Sequence, residues 1–120
     1  MALLNDSMEG FYGTEAYHRW SPQLYPTHLL TDGAKYAAET YKAFWLMDAI
    51  ASYAKKLRNE PFQVWKLRKL PEGGAVLTCE DGNYRPLASQ KIEFTDIPGD
   101  IDIWVGQSGE YWVLHLPSES

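Results

Sequence analysis

Cysteine is nearly absent: Cys79 is the only one in 120 residues. That excludes an intramolecular disulfide, and with it a zinc site built on several thiolates. A lone thiol within a strand behaves as a small hydrophobe far more often than as a nucleophile. No stretch approaches the 18 consecutive apolar residues of a helical membrane span. The opening MALLNDSMEG has no basic stretch and only a short apolar run, so it does not read as a secretory signal. The simplest location is then cytoplasmic, where the glycosylation pattern at Asn5-Asp6-Ser7 carries no meaning. Catalytic signatures are missing too. There is no Gly-x-Ser-x-Gly elbow, and Asp81-Gly82-Asn83 and Pro71-Glu72-Gly73-Gly74 read as hairpin turns rather than phosphate cradles. No cofactor or metal is implied, and the balance leans away from an enzyme.

Aromatic rings are what the chain has in excess, with five Trp, eight Tyr and four Phe. One domain of this size can bury a core without staples, but it struggles to hide so many rings. Some must reach the surface, where aromatics build contact sites. Charge is segregated along the chain. Residues 1–34 sum to −3, residues 35–69 to +5 and residues 70–120 to −7, and no Lys or Arg follows Lys91. Solvated faces explain most such segregation; a charged partner of opposite sign explains the rest.

Residues 1–31 read as an irregular, aromatic leader, because Pro22 and Pro26 interrupt any helix and FYGTEAYHRWSPQLYPTH is too aromatic for a free tail. Thr31-Asp32-Gly33 is a helix start with a capping side chain at Thr31 or Asp32. One helix is expected over 32–59, stopped by Pro61, with Leu46, Ile50, Tyr53 and Leu57 on a single apolar stripe. Lys35 and Glu39 are placed to pair on its solvent side. Residues 62–116 then alternate as about five short strands: 62–70, 75–80, 90–97, one from Ile101 and one over 111–116. The expected fold is α+β, one long helix packed on an antiparallel sheet, since each layer must bury one face.

Two sets of residues are candidates for function. The first is an acidic and aromatic surface: Glu93, Asp96, Asp100, Asp102 and Glu110 with the rings of Trp104 and Trp112 taken as exposed. Such a surface can imitate nucleic-acid phosphate and occupy a basic channel in a partner. The second is a pocket between leader and helix, lined by Tyr17, His18, Arg19, His28, Asp32 and Asp48. Asp48 follows Tyr41, Phe44 and Trp45 on an aromatic helix face, so it is either desolvated or satisfied by a donor from Tyr17, His18 or Arg19. The bland alternative is that Asp48 simply ties the leader down and the histidines pack or cap. His115, in the last strand, reads as part-buried. Direct nucleic-acid binding is disfavoured by net acidity, although Lys66, Arg68 and Lys69 lie near Phe62 and Trp65.

Several short motifs recur in a fixed order: Gly13-Thr14-Glu15 and Tyr17-x-Arg19, Thr31-Asp32-Gly33, Trp45-Leu46-x-Asp48-Ala49-Ile50, Phe62-Gln63-Val64-Trp65-x-Leu67, Asp81-Gly82-Asn83 and Leu116-Pro117-Ser118-Glu119. In that order they resemble an uncharacterised bacterial family of phage, plasmid and other mobile-element genomes, carrying a domain-of-unknown-function label. The resemblance implies a context rather than an activity. By analogy with that context, the leading expectation is a small acidic protein-binding module, an inhibitor of a bacterial defence system such as CRISPR. Its partner would be a protein, such as a nucleic-acid-binding host protein, with no membrane. The alternative is a small enzyme or ligand-binding domain using the leader–helix pocket. A third reading is a homodimer through an edge strand at 111–116.

Overall fold

A computed structural model describes residues 16–119; the Gly13-Thr14-Glu15 motif and the rest of the leader before Ala16 lie outside them. Two short helices pack on one face of a six-stranded mixed sheet. In chain order the elements are β1 His28–Leu30, α1 Asp32–Thr40, α2 Phe44–Ala51, β2 Phe62–Lys69, β3 Ala75–Glu80, β4 Pro86–Ile92, β5 Ile101–Ser108, β6 Tyr111–His115 and a closing 3₁₀ turn, Pro117–Glu119. The sheet order is β1-β6-β5-β2-β3-β4. Only the β1–β6 pair is parallel; the other neighbours run antiparallel.

The α+β class matches expectation, but the element counts differ for identifiable reasons. The expected single helix breaks at Tyr41-Lys42-Ala43. Lys42 adopts the left-handed conformation (φ 53°). Ala43 N–H donates to the Ala38 carbonyl at 2.8 Å and Lys42 N–H to that of Glu39 at 3.4 Å. That is the paired bonding of a Schellman stop, with lysine where glycine usually stands. Helix α2 ends at Ala51, and the chain to Asn59 continues as tight turns such as Ala54 N–H to the Ala51 carbonyl. The sixth strand comes from the leader: β1 takes three residues, too few to show alternation, and becomes a strand because β6 pairs with it.

Two strand expectations are corrected. The strand placed at 90–97 is β4, Pro86–Ile92, and residues 93–100 form a crossover instead. This crossover carries the chain from the β4 edge, over the end of β2, to the far side of β2. Lys69 holds it there, its backbone N–H donating to Asp100 at 3.0 Å and its ammonium to the Thr95 carbonyl at 3.3 Å. The last strand is not an edge: β6 lies between β1 and β5, so β1 and β4 are the edges. The segment 111–116 is therefore not the free edge strand expected for a pairing of copies.

The core lies between helices and sheet. Leu46, Met47 and Ile50 of α2 and Ala34 and Ala38 of α1 meet Trp65, Leu67, Leu77, Ile103 and Leu114. The small side chains of α1 let it sit close to the sheet. Removing any of the large core groups should cost about 2–5 kcal/mol. Alternation sends Phe62, Val64, Lys66 and Arg68 of β2 to the opposite face. There Phe62, Trp104 and His115 meet edge to face, with centroids 5.6 and 6.2 Å apart.

One polar lock joins the end of the sheet to the start of α1. Thr31 caps α1, its hydroxyl oxygen accepting from Ala34 N–H at 3.2 Å. The same hydroxyl donates to Glu119 Oε1 at 2.6 Å, while Gly33 N–H donates to Oε2 at 2.9 Å and Leu116 N–H to Oε1 at 2.8 Å. Glu119 is 7% exposed. A buried carboxylate is tolerated here because it accepts three hydrogen bonds and faces the positive end of a helix. A Cβ on Gly33 would lie 2.7 Å from that carboxylate.

Gly33→Ala should therefore destabilise the protein by roughly 2 kcal/mol, despite alanine's better helix propensity, because it expels a charge-assisted acceptor. In a Glu119→Ala background the same change should turn neutral or stabilising. Urea denaturation of the four-member cycle checks this, and an additive cycle would show that the lock is not made.

Candidate functional site

The segment after Ala16 folds back along β1. His18 and Leu30 exchange backbone hydrogen bonds of 2.8 Å, so His18 adds one antiparallel bridge to the edge of the sheet. Extended backbone then points His18 and Trp20 to one side and Arg19 to the other. His18 Nε2 meets Asp32 Oδ1 at 2.8 Å, tying the segment to α1. The Trp20 indole N–H donates to Asp48 Oδ1 at 2.8 Å, tying it to α2. Arg19 Nε donates to the Pro26 carbonyl at 2.8 Å and its guanidinium lies 5.8 Å over the Tyr111 ring. The turn between is closed by Ser21 and Tyr25, Tyr25 N–H reaching the Ser21 carbonyl at 2.7 Å.

These ties leave a cleft of about 380 Å³ between the segment and the two helices. Its apolar lining is Trp20, Leu24, Leu30 and Phe44; its polar lining is His18, Arg19, Ser21, Lys35 and Asp48. Leu24 is 74% exposed at the rim. Lys35 pairs with Glu39 at 3.2 Å, the i,i+4 contact its spacing suggested.

Of the six residues considered for a leader–helix pocket, His18, Arg19 and Asp48 line this cleft. Asp32 stands behind His18 as its partner. Tyr17 is part-exposed nearby; burial, then the negative charges of Glu119 and Asp32, raise its phenol above the ordinary value. His28 does not reach the cleft. It lies under the 24–28 turn, beside a separate hollow of about 440 Å³ against the end of α2. There it is boxed by Tyr25, Trp20 and Trp112, with centroids 5.7, 6.2 and 6.5 Å away. The donor to Asp48 is Trp20, one residue beyond the three considered. Lys35 and Phe44 were legible only as a solvent-face cation and a stripe residue; the break at Lys42 turns them toward one space.

The acidic surface is dispersed. Arg68 Nη1 donates to Asp102 at 2.6 Å and its Nε lies 4.0 Å from Asp100. Asp100 precedes β5 and Glu110 follows it, so they lie roughly 25 Å apart along the strand. Trp104 and Trp112 are half-buried rather than exposed, and they occupy opposite faces: Trp104 pairs with His115, and Trp112 with His28. Glu93 and Asp96 remain exposed on the crossover, on either side of Phe94, which is 79% exposed.

Burial pushes the Cys79 thiol up to about 12, so it stays neutral and unreactive. Among the described residues no group of three or more His, Cys, Asp or Glu is placed to hold a metal ion. None of the helices among them is long and apolar enough to cross a membrane.

The described residues thus define a two-layer α+β protein with a preformed cleft beside the start of its first helix. Residues 2–120 match a family of unknown function (DUF6876), and the chain belongs to that family. Neither the curated proteins nor the solved structures contain a match to it.

Two buried histidines set a pH dependence. Burial lowers the pKa of both His28 and His115 from the ordinary imidazole value. The unfolded chain then binds protons that the folded chain refuses, so stability is full above about pH 6.5 and falls as pH drops below it. Each histidine can contribute a slope of up to about 1.4 kcal/mol per pH unit. Melting curves from pH 7.5 to 5.0 should show the decline, and His28→Phe, which keeps the ring in its box, should make it shallower. An unchanged slope would remove His28 from this account.

Proposed function

We propose that the protein is a non-enzymatic binding module whose ligand occupies the cleft between residues 18–24, α1 and α2. The observation that carries this reading is the double anchoring of the cleft wall. His18 is bonded to Asp32 on one helix and Trp20 to Asp48 on the other, so the concave surface stands formed before any ligand arrives. Preformed walls reduce the ordering cost of binding. The volume falls within the range of small-ligand sites, and apolar walls with a few convergent polar groups are their usual chemistry. A fragment library followed by ¹H–¹⁵N NMR should shift the Trp20 indole resonance together with the Lys35 and Phe44 amides. Leu24→Ser should weaken such binders by roughly tenfold through lost apolar contact, without lowering the melting temperature. Shifts confined to other surfaces, or none, would sink the reading.

A second reading keeps the expectation of an acidic protein-binding surface, reduced to the crossover. Phe94 stands out between Glu93 and Asp96, while buried Thr95 and Ile97, which follow it, anchor the crossover. An exposed ring flanked by carboxylates fits a partner with an apolar pocket in a basic surround. A role in a phage or other mobile element, as an inhibitor of a defence system such as CRISPR, attaches to this reading through the resemblance alone. Affinity capture from bacterial lysate tests it. The partner should be held by the native protein at low salt and lost at high salt and with Phe94→Ser or Asp96→Lys. Capture indifferent to both substitutions would dismiss the crossover.

A further inference from the structure

We infer that the cleft ligand is zwitterionic and amino-acid-like, with an apolar or aromatic side chain; this rests on the reading of the cleft as a ligand site. Charges of both signs line one small apolar space. Among the described lining residues Asp48 contributes the only carboxylate, from α2, while Lys35 faces the same space from α1; Arg19, also in the lining, is bonded to the Pro26 carbonyl and lies over Tyr111. Trp20 occupies Asp48 Oδ1, and Oδ2 has no hydrogen-bond partner among the described residues. Lys35 spends one contact on Glu39, and an ammonium has three donors.

A ligand carrying only an amine would satisfy Asp48 but press a second cation against Lys35. One carrying only a carboxylate would satisfy Lys35 and crowd Asp48. Each half-match leaves like charges together, which is the usual basis of rejection. A ligand with both groups on one carbon matches both walls. Its ammonium sits at Asp48 Oδ2, beside the rings of Trp20 and Phe44, which attract cations over their faces. Its carboxylate turns to Lys35, and its side chain lies on Leu24 and Leu30. A volume of about 380 Å³ admits a free amino acid or a dipeptide.

The test titrates the full chain with L-phenylalanine, L-leucine and the dipeptide phenylalanyl-leucine, against phenethylamine and 3-phenylpropionate as single-charge controls. Binding is read by calorimetry and by the Trp20 indole resonance. At least one zwitterion should bind tenfold or more tightly than both controls. Asp48→Asn should abolish that preference while retaining the Trp20 bond, since the amide oxygen still accepts it; Lys35→Met should do the same from the other wall. Equal or tighter binding of either control, with shifts at the cleft, would overturn the zwitterion and leave the cleft standing. Fragments that bind the cleft while all three zwitterions fail would overturn it as well. Absence of any binder at the cleft would remove the underlying reading together with this one.

Discussion

The carboxylate of Glu119 is the constraint on which the rest of this arrangement depends. It accepts from the Thr31 hydroxyl, the Gly33 amide and the Leu116 amide in a largely dry setting. Those bonds join the exit of the central sheet to the entrance of α1. The Thr31 amide adds a backbone bond of 3.1 Å to the Leu114 carbonyl, so β1 and α1 are held to β6 by main chain and side chain together. A three-residue parallel strand has little stability of its own. Anchored at both ends of the contact, it becomes a fixed edge on which His18 can bridge.

From that fixed edge the cleft follows. His18 reaches Asp32 because Asp32 sits at the first helical position, set by the cap at Thr31. Trp20 reaches Asp48 because α2 begins afresh after Lys42 and brings Phe44 and Asp48 round toward the leader. An uninterrupted helix would carry both residues further along one axis, away from residues 18–24. The left-handed lysine costs some backbone energy, offset by the carbonyls of Ala38 and Glu39 that the stop satisfies. Local strain here redirects a whole helix, and the cleft geometry depends on that turn.

Electrostatics are arranged differently on the two halves of the molecule. On the sheet's open face, opposite charges meet within hydrogen-bond range, Arg68 with Asp102 and Lys66 with Glu80. Such part-exposed pairs contribute little stability, but they cancel the strong charge that the linear chain displays. At the cleft the opposite charges sit on separate walls with apolar groups between them. Those pairs offset part of the chain's long-range asymmetry, while opposite charges are set across one hollow at the cleft.

What could be read from the chain was what neighbouring residues decide among themselves. Thr31 caps because its hydroxyl reaches an amide three residues on. Pro71 to Gly74 turns because Gly73 adopts positive φ, and the strands of β2, β3 and β5 alternate because one face is buried. Thr31-Asp32-Gly33 and Leu116-Pro117-Ser118-Glu119 were visible as motifs, yet nothing local says that one receives the other across 86 residues. The helix break carried no glycine or proline to announce it. The alternation of Ile92 and Phe94 imitated a strand, but β3 already had β4 as its neighbour over Pro86–Ile92 and the chain had to cross to β2. Local chemistry by itself determined caps, turns and which faces are apolar, because those free energies arise within a few residues. Strand order, the partner of Glu119, the pairing of the acids and the position of the cleft were decided only in three dimensions, where distant groups compete for the same buried contacts.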